Sequence, residues 1–531
     1  INAGENRENI YNLDKDTFKR WVIKGKLHSL VYPVEQTGLY LPYRPFKNFL
    51  AASPKNPLKK FILNLTQKRI GFSTMEGLYK WLGLSSYPVE EGEGVYQIPF
   101  PNRVRPEYSM GVTVRKKNGS EVMTFSCAVC HATNLFGKKI IGLNNKVPRA
   151  NDLFVLASKY IPMVHPTLFK IATGANTTET KEFKRTQKNL KSVGVKSPIA
   201  LGLDTSLGQV ALSLSKREED DYATKSKYFE KHPRPNDLET FIADSKPAVW
   251  WNLKYKTRWL SDGSIVSGNP IFTNFLWNEI GRGVDLKKLE TWLKNNKQTV
   301  MELTTAVFAS RPPLWTDFYS ADSINLESAK RGEKLYETAC MKCHGTYEKA
   351  WAGSNTEGLS NVDLLKTTKV IYHDQTPVMD VGTDPNRYLG MNAFYKDLNR
   401  LKISKWMQTI VEPQVGYVPP PLDGIWARYP YFHNNSIPTL CALLTPTKDR
   451  PKIFYQGPSK NIQTDFDDKC VGYPVGSKVP PSWKKEKGAK IMVNNPGIKN
   501  IGHDRMLFDR SGNLRFSNSE KMDLIEFLKT L

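Results

Sequence analysis

Two five-residue units constrain this chain more than anything else in it: Cys127-Ala128-Val129-Cys130-His131 and Cys340-Met341-Lys342-Cys343-His344. Each reads C-x-x-C-H. Two cysteines three positions apart lie on one side of a helical turn, and the histidine that follows can turn under a ring held by both thiols. This is the attachment pattern of c-type haem, in which the thiols add across the vinyl groups and the imidazole becomes the proximal iron ligand. A single copy would also suit half a zinc site or a dithiol redox pair. Two complete copies use four of only six cysteines, which points to two covalently bound haem c groups. A four-thiolate zinc site built from both units is the competing reading, and it leaves the trailing histidines without a role. Cys127, Cys130, Cys340 and Cys343 are expected to carry the haems, with His131 and His344 as proximal ligands.

The 531 residues allow roughly two to four domains with sizeable cores. The apolar content is that of a soluble globular protein, and no run of about 18 apolar residues offers a membrane span. The net charge of +24 is spread along the whole chain, with no aromatic-interleaved recognition motif, so nucleic acid is not an expected partner. A lysine-rich solvated surface accounts for the charge. Steering of an acidic electron-transfer partner is the narrower alternative. The chain begins at Ile1 rather than Met, as expected if a leader had been removed. Covalent haem attachment takes place outside the bacterial cytoplasm, so a periplasmic or secreted location is expected. In an oxidising compartment Cys441 and Cys470 are free to pair. Their disulfide would contribute roughly 3 kcal/mol; two buried free thiols are the alternative. The chain is expected to act as a monomer.

Residues 1 to about 95 read as short helices and turns that wrap a haem domain. Phe18, Trp21, Val22 and Ile23 mark an early helix, and 74–84 a second. Residues 108–125 are strand-like around the hairpin turn Lys117-Asn118-Gly119, and the first haem unit follows directly. A helix is expected over 152–161, and His165 reads as a surface or core histidine rather than a ligand. From about 174 to 240 the chain is polar and charged, and exposed helices and loops, disordered in parts, are expected as an insertion. An aromatic-dense stretch follows with Trp250, Trp251, Trp259, Phe272, Phe275 and Trp277. Such a cluster makes core or lines a haem pocket. Pro312-Pro313 marks a boundary. A helix over 325–339 delivers the second unit, and the chain ends in another, capped by Ser517 and Glu520 with Leu524, Phe527, Leu528 and Leu531 as its apolar stripe. Those are the two packed helices of a cytochrome c fold, covering roughly residues 321–531. The expected fold is mainly α, with two cytochrome c-like haem domains (1–320 and 321–531), extensive loops and a few short β-strands.

The stretch Tyr429-Pro430-Tyr431-Phe432-His433-Asn434-Asn435-Ser436-Ile437-Pro438-Thr439-Leu440 resembles the P-Y-F-H-(D/N)-G-S-(V/I)-P-T-L segment of the bacterial di-haem cytochrome c peroxidase superfamily. Asn435 stands where that family usually has glycine. Within the superfamily the chain is more similar to the di-haem rubber oxygenase, or RoxA-type, group. The supporting stretches are Lys246-Pro247 running into Trp250-Trp251-Asn252-Leu253-Lys254, Thr383-Asp384-Pro385, Arg450-Pro451-Lys452-Ile453-Phe454-Tyr455-Gln456-Gly457 and Gly502-His503. The resemblance implies a six-coordinate C-terminal haem between His344 and His503 that stores or relays electrons. Met391 is the runner-up for the second ligand, since many cytochromes c use methionine there. His433 is a further competitor that the resemblance assigns to the inter-haem segment. The N-terminal haem on His131 would be the reactive one. Roughly the first fifteen to twenty residues after His131 hold no further histidine. The glutamine-alanine-x-glycine-proline stretch of the peroxidases is also missing, Asp262-Gly263 running instead into Ser264-Ile265. Without an acid–base group, peroxide heterolysis would be slow. An apolar distal pocket of Trp250, Trp251, Phe272 and Phe275 suits dioxygen and a hydrocarbon better. Calcium, known in the peroxidase relatives, finds no clear ligand loop.

Three functions compete on these grounds. The first is an oxygenase that cleaves carbon–carbon double bonds of an isoprenoid polymer or another apolar alkene, using dioxygen. The second is a peroxidase that uses hydrogen peroxide and electrons from a small redox protein, with Trp426 as a relay candidate. The third is a di-haem electron carrier with no enzymatic activity.

Overall fold

Two long helix pairs frame the chain in the computed structural model, which describes residues 7–51, 71–354, 356–486 and 488–531. In the first pair, Lys15–Leu30 packs on Lys297–Phe308. Asp14 starts the leading helix by accepting hydrogen bonds from the backbone N–H groups of Asp16 and Thr17. In the second pair, Leu326–Ala339 packs on Asn518–Lys529. Asn325 caps the former, and the box formed by Ser517 and Glu520 caps the latter. Each crossing is closed by a glycine. A Cβ on Gly25 would overlap the Glu302 carbonyl, and one on Gly332 would overlap that of Asp523. Glycine therefore lets the two backbones approach more closely than any other residue would.

The strands are short and antiparallel. Val112–Lys117 and Ser120–Phe125 form a hairpin, and Leu41–Pro42 pairs on the other side of Ser120–Phe125. The hairpin turn places Asn118 at φ 49° and Gly119 at φ 79°, both positive as a tight two-residue turn requires. Three further two-stranded ribbons pair Ala132–Leu135 with Lys138–Ile141, Thr346–Lys349 with Thr367–Ile371, and Ile453–Tyr455 with Lys490–Met492. The protein is thus mainly helical with a few short strands, as its sequence predicts. The expected helices at the N-terminus, near 75, near 152, before the second haem unit and at the C-terminus are all present. Part of the N-terminal segment, 52–70, lies outside the described residues. Among those described, no helix is long and apolar enough to cross a membrane.

The charged stretch from 174 to 240 differs from expectation. Its helix Thr177–Leu190 buries Glu179, Glu182, Phe183, Thr186 and Gln187. Glu179 pairs with Arg44, and Glu182 with Lys117 and Arg185. Arg217 is fully buried and donates to the carbonyls of Ile280 and Val284, at 3.1 and 3.0 Å, past the end of the helix Pro270–Ile280. These polar side chains meet protein partners instead of water, while Glu219, Asp220, Asp221, Lys227, Lys231 and Glu239 stay exposed as expected. Composition alone does not distinguish the two cases.

Cys441 and Cys470 form a disulfide across 29 positions. Breaking it with Cys470→Ser should cost about 3 kcal/mol in denaturant unfolding of the oxidised protein. Gly332→Ala should cost about 1–3 kcal/mol by overpacking the terminal helix crossing. The measurement is the thermal or urea midpoint, with a surface Gly119→Ala variant compared for the turn-strain contribution alone.

Candidate functional site

His131 ends the short helix Ala128–His131, directly after the N-terminal hairpin. Its backbone N–H closes the turn onto the Cys127 carbonyl at 3.0 Å. Asn145 holds the unit from behind: its N–H donates to the Cys130 carbonyl at 2.9 Å and its side-chain amide to that of Val129 at 2.8 Å. The His131 Nδ1 lies 3.0 Å from the Ala248 carbonyl, which accepts its proton. That bond fixes the tautomer and leaves Nε2 for a metal. Trp250 packs beside this imidazole, with ring centroids 5.9 Å apart.

His344 is built by the same local logic on different supports. It ends the helix Met341–His344, and its N–H bonds the Cys340 carbonyl at 3.0 Å. Its Nδ1 donates to the Pro420 carbonyl at 2.7 Å. The three prolines 419–421 lack N–H groups and so present acceptors only. Each is used: Tyr372 donates to Pro419, His344 to Pro420, and Arg428 and Asn252 to Pro421. The polyproline stretch, unassigned by sequence, is a carbonyl rail that orients the second histidine.

Both units open into one cavity of about 1080 Å³, lined by all four cysteines, His131, His344, His433 and His503. It is at the upper limit of ordinary ligand pockets. Burial lowers His131 and His344 to a pKa of about 4, so both imidazoles are neutral at pH 7, as metal ligation requires. Burial pushes the thiols the other way, Cys127 to about 11 and Cys340 to about 12. Protonated thiols in apolar surroundings are poor thiolate ligands and poor redox nucleophiles. Among the described residues no cluster of cysteine, histidine and carboxylate side chains is arranged to hold a metal ion, so the four-thiolate alternative finds no geometry.

His503 stands opposite His344, ring centroids 6.3 Å apart and planes at 62°. One metal atom with bonds of about 2 Å to each imidazole spans such a separation. His503 occupies a left-handed backbone position, φ 65°, after Gly502. A Cβ on Gly502 would overlap Gly382, and the buried Arg450 guanidinium donates to the Asn500 and Gly502 carbonyls at 2.6 and 2.9 Å. Among the described residues the buried Nδ1 of His503 has no protein partner. The donor set, the spacing and the cavity fit haem: Cys340 and Cys343 would hold the ring, and His344 and His503 its iron. Cys127, Cys130 and His131 would do the same at the other end. Met391 is fully buried in the N-terminal core and does not line the cavity. Met379, which sequence reasoning passed over, brings its sulfur to 3.5 Å from the Cys343 sulfur.

The distal-pocket aromatics need correction. Of the four named from sequence only Trp250 lines the cavity, and it sits beside His131. Trp251 turns into the C-terminal core and donates to the Asp423 carbonyl at 2.8 Å. Phe272 packs edge-on against Trp406, and Phe275 against Tyr32 and Trp292. In the helix Pro270–Ile280 the cavity side is instead carried by Ile271 and Trp277. Trp259, Ile265, Leu303 and Val307 complete an apolar lining. Trp426 is a core residue, bonded to the Pro313 carbonyl and packed on Trp315 and Phe318, and is not part of the cavity wall. His165 caps the helix Pro166–Thr173, away from the site.

His433 lines the cavity, stacked on Tyr417 at 3.9 Å, with its buried Nε2 unpartnered. Burial holds its pKa down at about 3. The unfolded chain therefore takes up this proton near pH 6.5 while the folded protein resists it down to about pH 3. Stability from this group is complete above pH 6.5 and falls by about 1.4 kcal/mol per pH unit below it. His433→Gln should flatten the acid limb of a stability–pH curve by that slope between pH 6 and pH 4; an unchanged slope would show that His433 is protonated in the fold.

Residues 416–455, which include the whole proline rail and the His433 segment, match the family described as RoxA-like, cytochrome c-like. Two proteins of Sinorhizobium fredii (strain NBRC 101917 / NGR234) are similar over longer stretches. The uncharacterized protein y4iJ is 25% identical over 357 residues, which cover 55% of this chain and 56% of that protein. The uncharacterized protein y4iM is 28% identical over 220 residues, 39% of this chain and 49% of that protein. The chain spans about half the length of these curated relatives. A cytochrome c-like segment of the RoxA-like kind is present, and with it haem c and iron are the implied cofactor.

Proposed function

We propose that this chain is a di-haem c-type oxidoreductase with two cytochrome c-like halves, residues 1–320 and 321–531. In this reading it cleaves carbon–carbon double bonds of an isoprenoid polymer at the site built on His131. The observation that carries the reading is the asymmetry of the shared cavity. His344 has a second imidazole opposite it, whereas the ring beside His131 is that of Trp250. A closed site suits electron storage and an open one suits oxygen chemistry. Haem bound at an open site supplies activation of dioxygen.

The chain's own residues do the rest. The Ala248 carbonyl keeps the proton on Nδ1 of His131, so that Nε2 stays basic. Ile265, Ile271, Leu303 and Val307 bind a hydrocarbon by burial, at about 25 cal/mol per Å² of apolar surface, and exclude water. His344 and His503 open on the same cavity and would hold there the haem that supplies electron storage to the first site. The disulfide between Cys441 and Cys470 supports a periplasmic or secreted location for the protein.

Oxygen uptake by the purified protein on polyisoprene latex, without peroxide or reductant, tests this reading. Uptake with carbonyl-ended fragments is expected. Ile271→Gln should lower kcat/KM about tenfold with an unaltered haem spectrum, through the cost of desolvating an amide. No uptake, but peroxide-driven oxidation of a reduced cytochrome, would replace the oxygenase with a peroxidase. Two low-spin haems and neither activity would leave an electron carrier.

A further inference from the structure

Of the cations that line the shared cavity, Lys246, Lys256, Arg387 and Arg428 are buried or half-buried there with no ion pair among the described residues, whereas Lys342 and Arg505 are exposed. Arg282, which also lines the cavity, is paired with Glu279, and Arg450 nearby is paired with Asp504. The bonds the four do make are to backbone carbonyls. Arg387 donates to Ala243 at 3.2 Å, and its buried Nε has no partner. Arg428 donates to Pro421 at 2.7 Å. Lys246 donates to Arg428 and Pro430 at 3.0 and 2.6 Å. Carbonyl dipoles orient a cation but do not cancel its charge, and a guanidinium has five N–H donors to satisfy.

The nearest acidic groups make no ion pair with them among the described residues. Asp262 acts on Arg387, and Asp423 on Arg428, only through space, and burial raises both carboxyl pKa values. Asp204, in the cavity wall, serves the backbone and hydroxyl of Ser206. Asp380 is exposed and accepts from the Gly382 N–H. Burial also holds Lys256 at about 7 and Arg428 at about 10, and draws Lys246 well below the usual lysine range. Buried cations left in this state are costly unless an anion is bound beside them.

We propose that Lys246, Lys256, Arg387 and Arg428 are the counter-charges for the propionate carboxylates of the two haems, which carry two propionates each. Each would meet a carboxylate through charge-assisted hydrogen bonds of the strong kind. The inference rests on the di-haem reading. A cation beside a propionate favours the reduced haem, which carries one more negative charge. Removing the cation therefore lowers that haem's potential.

The test uses the full-length holoprotein. Haem per chain is counted by the pyridine haemochrome, and each midpoint potential is read by spectroelectrochemical titration. Lys256→Met is the first variant, because its ammonium makes no hydrogen bond to the protein among the described residues. Arg387→Gln and Arg428→Gln follow, with Arg387→Lys and Arg428→Lys as charge-retaining controls. Two haems should remain in each charge-removing variant, with the one-electron equilibrium of one haem shifted about tenfold toward the oxidised form, a fall of 59 mV. The lysine controls should stay near the wild-type potential. Fewer than two haems in the wild type would overturn the di-haem reading itself. Two haems with potentials unmoved in all three charge-removing variants would overturn the counter-charge assignment alone. If an arginine variant does not accumulate, the result with Lys256→Met decides.

Discussion

Lys146 and Lys246 take four successive carbonyls of one backbone stretch. Lys146 bonds those of Ala427 and Tyr429, at 2.8 and 2.5 Å, and Lys246 those of Arg428 and Pro430. The lysines come from the N-terminal half and the carbonyls from the C-terminal half. Burying two ammonium groups is expensive, and the carbonyls, with the Tyr429 ring 3.7 Å from Lys146, offset part of that cost. The contact fastens the 427–430 stretch against the first haem unit. As a result the two C-x-x-C-H units open into one cavity rather than two.

Within that cavity the two ends differ through their supports, not their motifs. Each histidine donates through Nδ1 to a backbone carbonyl, Ala248 in one case and Pro420 in the other. Each is held neutral by burial. The difference comes from remote chain. The 500–503 loop, held by Arg450 and by the close approach of Gly502 to Gly382, brings a second imidazole to His344. The aromatic stretch after Ala248 brings an indole to His131. Two units of the same C-x-x-C-H pattern thus acquire different surroundings from what packs on them.

What was legible in the sequence is what depends on neighbours along the chain. The haem units, the box of Ser517 and Glu520, the apolar stripe Leu524, Phe527, Leu528 and Leu531, and the turn at Asn118-Gly119 are all set by spacing, capping chemistry and backbone preference. The distal aromatics were misassigned because the identity of a ring does not say which way it faces. Trp250 and Trp251 are adjacent, yet one lines the cavity and the other enters the opposite core. Phe272 and Phe275 share a helix with Ile271 and Trp277, and helix rotation alone decides which pair meets the cavity. The buried face of the helix Thr177–Leu190 was misread for a related reason: partners such as Arg44 and Tyr40 are far away in the chain.

By itself the sequence determined that this protein is mainly helical, that four thiols and two imidazoles are set out in two attachment units, and that its C-terminal helices pack as in a cytochrome c. These follow from covalent spacing and from periodicity within single elements. Only the tertiary structure decided that the two units share a cavity, that His503 and not Met391 stands opposite His344, and that cations without an ion pair among the described residues line that cavity. The physical reason is that ligation, desolvation and charge compensation depend on distance in space. Contacts between residues hundreds of positions apart, such as Lys146 on Ala427 and Tyr429, set those distances.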